Sequence, residues 1–234
     1  MINFPITCID GFFKYPDVIV EMLEDLDYYK SDTGNFPGVR TKPLHISNLH
    51  FTKPFIEKVL STYYNLNIDY IRWESLDIRG NKTPSFVEDK DDIRNRSWIH
   101  CDEQGDSNAF AGVIYLNKNV KYHDSGISFF QPITPIPQKD IDDAAALKLK
   151  YYKKEDIDIN EYCTHKNTYE KKFIKSASFA NFYNRLIIFP IDMWHRIDNF
   201  GVGTGEDRLT LNFWFRNIYE ISKFPIERVN NGIL

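Results

Sequence analysis

The sequence predicts an α+β protein that is mainly β: a sandwich or barrel of short strands backed by N-terminal helices. Two features carry this expectation. Short apolar runs separated by turn residues fill most of the chain after residue 96, whereas the first third holds two stretches with helical spacing. Aromatic residues make up 15% of the chain, with 18 Phe and 14 Tyr, and such side chains pack well on pleated surfaces. A length of 234 residues suffices for one well-buried core, so 1–234 reads as a single domain. Within it, 1–79 forms the N-terminal support and 97–216 the β core.

Along the chain, Pro16-Asp17 opens a helix with Val18, Met22, Leu23 and Leu26 at helical spacing. Residues 31–43, rich in Gly, Pro and Asp, read as a loop. A second helix is expected after Thr52, with Pro54 early and Phe55, Val59 and Tyr63 on one face. From Asn67 to Arg79 the pattern Ile68, Tyr70, Ile71, Trp73, Leu76, Ile78 suggests one or two strands. Residues 80–96 are polar and aperiodic and read as a mobile loop. Strand-like runs follow at Ser97–Cys101, Phe110–Leu116, Gly126–Phe130, Phe182–Phe189, Trp194–Asn199 and Arg208–Phe215. Residues 133–178 interrupt them. This segment opens among Pro132, Pro135 and Pro137, continues through the charged, helix-like IDDAAALKLKYYKKED, and reads as an insertion or lid.

Composition excludes several classes. Net charge is −4 with no block of Lys or Arg, which argues against a nucleic-acid partner. Cys8, Cys101 and Cys163 are scattered and odd in number, giving neither a disulfide framework nor a zinc pattern, so a reducing compartment is expected. The opening MINFPITCIDGFF lacks the features of a signal peptide, and no apolar run approaches the roughly 18 residues of a membrane span. A cytoplasmic protein without a membrane partner is the expectation. No nucleophile elbow, Walker loop or dinucleotide-binding turn occurs, which disfavours a serine hydrolase or an NTPase. Oligomeric state is not legible.

One triplet suggests chemistry. In a strand, residues two apart share a face, so His100 and Asp102 would project together while Cys101 packs on the other side. An imidazole and a carboxylate side by side offer two ligands to a divalent ion, and a distant His would complete a two-His, one-carboxylate face. Roughly one such H-x-D/E triplet arises by chance in a chain of this composition, so context must decide. His195 follows RLIIFPIDMW, and thirteen residues later Arg208 opens the run RLTLNFWF. A buried guanidinium cannot shed its charge and needs an anion, either an internal carboxylate or a bound one. His45, His50, His123 and His165 have no partner at ligand spacing and read as solvent-facing.

Taken in order, H-x-D, AGVIYLN, SGISFF, a distal His and RLTLNFW resemble the 2-oxoglutarate- and iron(II)-dependent oxygenases, most closely the prolyl-hydroxylase-like branch. The likeness covers about residues 97–132 and 182–216. It implies a double-stranded β-helix (jelly roll), with His100, Asp102 and His195 as metal ligands. It makes Arg208 the partner of the far carboxylate of 2-oxoglutarate, and matches Tyr115 to a tyrosine that often bonds the same carboxylate. Thr210 and Asn212, on the strand face of Arg208, would line that pocket, and Trp214 would serve packing. The implied cofactors are Fe(II), 2-oxoglutarate as cosubstrate, and O2; the implied reaction is hydroxylation of a C–H bond in a small molecule or peptide. Retention of Asp102 favours hydroxylation over halogenation. The loop FGVGTGED lengthens the spacing from His195 to Arg208 beyond the usual one, and 133–178 has no counterpart in the pattern. The competing reading is a cupin-like protein that binds metal or ligand without oxygen chemistry.

Overall fold

The structure, a computed structural model, describes residues 4–31, 35–67, 70–103, 108–153 and 155–220. The N-terminal third runs β1 (Thr7–Ile9), α1 (Pro16–Glu24), β2 (Tyr28–Lys30), β3 (Val39–Thr41), the single turn α2 (Leu44–Ser47), α3 (Leu49–Leu60), β4 (Ile71–Arg72) and β5 (Ser75–Thr83). Pro16 and Asp17 start α1 as expected, because a first-turn proline lacks only an N–H that has no helical partner. The second helix begins earlier than the proline suggests. The Asn48 side chain accepts the Phe51 N–H at 3.1 Å and caps α3 at Leu49, leaving Pro54 inside the helix. Leu23, Phe55 and Val59 are buried, and Phe55 meets Phe213 edge-to-face at 5.3 Å. Tyr63 lies past the helix end and donates its hydroxyl to Thr7 Oγ1 at 3.1 Å.

The remainder comprises β6 (Phe110–Tyr115), β7 (Ile127–Pro132), α4 (Gln138–Lys153), α5 (Ile159–Glu170), β8 (Phe173–Phe179), β9 (Leu186–Pro190), β10 (His195–Ile197), β11 (Arg208–Arg216) and β12 (Tyr219–Glu220). Every strand pairing among the described residues is antiparallel. The larger sheet has the order β1-β9-β6-β11-β5-β3-β2, the smaller β10-β7-β8, and β12 pairs with β4.

Period-two alternation on β11 organises the layers. Leu209, Leu211, Phe213 and Phe215 enter a core shared with Leu23, Phe55 and Val59. Arg208, Thr210, Asn212 and Trp214 occupy the other face. Between the sheets, Val113, Tyr115, Phe129, Ile187 and Phe189 form a second core, and a third joins Phe130 and Phe173 to Ala144 of α4 and Tyr162 and Tyr169 of α5. Helices thus cover both outer faces. Gly112 faces Phe213 across the β6–β11 ladder, where an added Cβ would stand 2.1 Å from that ring. Only glycine fits there, which accounts for AGVIY.

Several boundaries differ from expectation. The 31–43 loop contains β3, because Val39 and Arg40 pair with Lys82 and Asn81 of β5, and a tertiary partner outweighs local loop composition. Within 80–96, residues 80–83 complete β5. Its remainder is held by buried Asn95, whose amide accepts from Phe86 N and Val87 N and donates to Val87 O and Asp89 O. Ser97–Cys101 is not a full strand: it bridges β10 at His100, and Ser97 N donates to the Ile197 carbonyl at 3.0 Å. The 133–178 segment holds two helices and also β8, which pairs with β7 along its length. Its last residues are therefore sheet framework and not insertion. The run from Phe182 becomes strand only at Leu186. Ile68, counted in the alternation after Asn67, lies outside the described residues. No helix among the described residues is long and apolar enough to cross a membrane.

Candidate metal centre and its cavity

His100 and His195 exchange both backbone hydrogen bonds, at 3.0 and 2.7 Å. Directly opposed residues of an antiparallel pair project to one face, so the two imidazoles emerge together, with ring centroids 4.4 Å apart. Asp102, two residues on, lies on the same side, with its carboxylate 3.7 Å from His100 Nε2. One ligand atom from each of the three lies within 4.8 Å of the others, and this is the only such group among the described residues.

Both rings are held in the tautomer a metal needs. His100 Nδ1 lies 2.9 Å from the Trp98 carbonyl and His195 Nδ1 2.8 Å from the Met193 carbonyl. A carbonyl only accepts, so each Nδ1 donates its proton there, which makes Nε2 the nitrogen available to a cation. Burial, then the neighbouring His195 and Lys148, push His100 well below the usual histidine range and keep it neutral. Burial acts to raise the Asp102 carboxyl, but His195, His100, a hydrogen bond from Trp214 and the Arg40 charge together hold it below its usual value. That hydrogen bond, Trp214 Nε1 to Asp102 Oδ2 at 2.7 Å, gives Trp214 a role the packing assignment missed.

Arg208 is buried at the start of β11, only 2% exposed. Its Nε donates to the Ser125 carbonyl at 2.9 Å and its guanidinium carbon lies 5.2 Å from the Tyr115 ring centroid. No carboxylate among the described residues pairs with it. Arg196 shows the contrast: also buried, it meets Glu170 at 2.6 Å and Asp198 at 3.0 Å. Beside Arg208 the Tyr115 hydroxyl meets the guanidinium, and Thr210 Oγ1, like Asn212 Oδ1 further along the same strand face, is buried without a hydrogen-bond partner. Thr210 and Tyr115 are cross-strand neighbours. Burial pushes the Tyr115 phenol up to about 12, opposed by the adjacent Arg208 charge. A buried cation beside idle polar atoms is an incomplete anion site, because each unpaired group costs free energy when shut away from water.

Both halves open onto one cavity of about 720 Å³ of empty space, its open mouth included, lined by His100, Asp102, His195, Arg208, Asn212 and Trp214. Arg40, Lys148 and Tyr152 also line it, and no sequence signal marked them: Arg40 sits in a Gly/Pro-rich stretch and the others in a charged helix. Cys101 is half-buried near Tyr169, and burial pushes its thiol up to about 11, consistent with packing. His50, His123 and His165 are exposed, and His45 lies 4.0 Å from Asp77, away from the centre.

Solved structures share this architecture. HygX from Streptomyces hygroscopicus, solved with nickel and 2-oxoglutarate bound, superposes with a TM-score of 0.53 at 13% identity, over 90% of this chain and 82% of that one. SnoN, a non-heme alpha-ketoglutarate-dependent epimerase from nogalamycin biosynthesis, gives 0.50 at 10% identity, over 90% and 76%. A prolyl-4-hydroxylase from Pseudomonas putida gives 0.47 at 12% identity, over 91% and 92%. No curated protein matches the chain in sequence. The fold is shared with HygX and SnoN. The chain itself belongs to DUF6445, described as a family of unknown function, which matches residues 3–215.

Proposed function

We propose that this protein is a 2-oxoglutarate- and Fe(II)-dependent oxygenase that hydroxylates a C–H bond of a small molecule or peptide, using a double-stranded β-helix as its single domain. One observation supports the reading: two imidazoles, each with its Nδ1 on a backbone carbonyl, and the Asp102 carboxylate bring one ligand atom apiece within 4.8 Å of one another. When bound, iron and 2-oxoglutarate supply the oxidation, with O2 consumed and the cosubstrate converted to succinate and carbon dioxide.

The chain's residues divide the remaining work. His100, Asp102 and His195 would hold the ion, a two-His, one-carboxylate donor set that suits iron(II). Trp214 fixes one oxygen of Asp102 and so orients the other. Arg208 receives the distal carboxylate of 2-oxoglutarate, the anion its burial lacks, with Tyr115 and Thr210 supplying hydroxyl donors. Asn212 lines the space between that pocket and the ion. The apolar walls, Phe189 and Val113 among them, limit water around the reacting groups.

The test is anaerobic addition of Fe(II) and 2-oxoglutarate to purified protein. A visible charge-transfer band and protection by 2-oxoglutarate against thermal unfolding are expected, and both should vanish in His195→Ala. If wild-type protein shows neither, the oxygenase reading is wrong.

A further inference from the structure

Two further cations face the cavity, and neither has a task in holding the metal or 2-oxoglutarate. Arg40, on β3, lays its guanidinium 3.8 Å from the Phe36 ring centroid and 5.3 Å from that of Trp214. Lys148, on α4, lines the same cavity. Tyr152 stands four residues after Lys148, hence on the same helix face, and its hydroxyl is buried without a hydrogen-bond partner.

Among the described residues no carboxylate lies within ion-pair distance of Arg40 or Lys148. The acids near Arg40 are committed elsewhere: Asp77 to Arg79 at 2.9 Å, and Asp102 to Trp214 and the histidine pair. Ring contacts hold the guanidinium plane but leave its in-plane N–H donors free for a planar anion. The two cations come from separate elements and oppose one another, since Arg40 works against the Lys148 charge and burial weakens both. An anion between them would remove that opposition.

Resting on the oxygenase reading, we propose that the substrate bears an anionic group, a carboxylate or a phosphate, bound by Arg40, Lys148 and Tyr152 in the cavity facing the metal. This group is separate from 2-oxoglutarate, whose distal carboxylate is assigned to Arg208 on β11. The role of α4 is then recognition: the segment 133–172 carries two of the three donors, so it selects substrate as well as covering the sheet.

The experiment uses protein loaded with Ni(II) and saturating 2-oxoglutarate, which cannot turn over, titrated with matched probes and followed by thermal unfolding. The pairs are hippurate against hippuramide, and phenyl phosphate against phenol. The anionic member of at least one pair should bind about tenfold tighter than its neutral partner, and whichever pair responds identifies carboxylate or phosphate. Arg40→Gln, Lys148→Met and the double variant should lose that preference while binding 2-oxoglutarate within about twofold of wild type. Arg40→Lys, which keeps the charge, should retain part of it and serves where Arg40→Gln fails to fold. Equal binding of charged and neutral probes overturns the proposal. So does the absence of any anion effect in protein that binds 2-oxoglutarate, or loss of 2-oxoglutarate binding in the double variant. Wild-type protein that binds no 2-oxoglutarate at all fails the oxygenase reading instead, and this inference with it.

Discussion

Replacing Arg208 by Met separates a ligand-binding cation from a structural one, because the two roles predict opposite signs. A structural buried Arg would be paired, and its removal would leave a buried carboxylate uncompensated, at a cost of about 3–5 kcal/mol. Arg208 has no such partner; its recorded hydrogen bond is from Nε to the Ser125 carbonyl at 2.9 Å. Losing that bond costs about 1.5–3 kcal/mol, whereas relief of the guanidinium's desolvation returns several kcal/mol. The unliganded Met variant should therefore be as stable as wild type, or more so. Its affinity for 2-oxoglutarate should fall steeply. Truncating one partner of a buried charge pair costs about 2–5 kcal/mol, or about 30-fold to several thousandfold in Kd. Urea unfolding of the apoprotein and a 2-oxoglutarate titration of the Ni(II) protein measure the two effects separately. An apoprotein destabilised by several kcal/mol, with 2-oxoglutarate binding unchanged, would refute the assignment.

Three further predictions follow from other contacts. Trp214→Phe keeps the ring but removes the N–H that holds Asp102, so affinity for Ni(II) should drop about 10- to 100-fold in a metal titration; an unchanged affinity contradicts the positioning role. Asn95→Leu removes four hydrogen bonds that pin residues 86–89 and should lower urea stability by about 2–4 kcal/mol, with a change below about 0.5 kcal/mol counting against that anchoring. Lys166 is buried, donates to the Ile93 and Arg96 carbonyls, and is pushed down to about 7 chiefly by burial. Between pH 7 and the unfolded value near 10.4 the unfolded chain holds a proton that the native state has lost, so stability should rise with pH across that window. The measurement is unfolding free energy against pH for wild type and Lys166→Met; identical slopes would show that Lys166 stays charged in the native state.

The juxtaposition of His100 and Asp102 was legible because it depends on short-range geometry. Residues two apart in extended chain share a face, and His100 and Asp102 obey that rule although the segment is not a full strand. The pairing of His100 with His195 joins segments 95 residues apart and came from the order of motifs, not from periodicity. Arg208, Thr210 and Asn212 were grouped on one face by alternation along β11, which Trp214 shares, but what each touches was hidden. The Trp214 bond to Asp102 spans 112 residues. Arg40 was invisible because β3 is three residues long and exists only through its pairing with β5 and β2. The β8 strand was lost within a charged, aperiodic stretch for a related reason: its burial pattern, with exposed residues at four of seven positions, is that of an edge strand.

The most direct test of the central claim is a crystal structure of the protein with Ni(II) and 2-oxoglutarate. One ion should be bonded at about 2.1 Å to Nε2 of His100, Nε2 of His195 and an Asp102 oxygen, with the distal carboxylate of 2-oxoglutarate on Arg208. An ion held elsewhere, or a 2-oxoglutarate that leaves Arg208 without an anion, would contradict it.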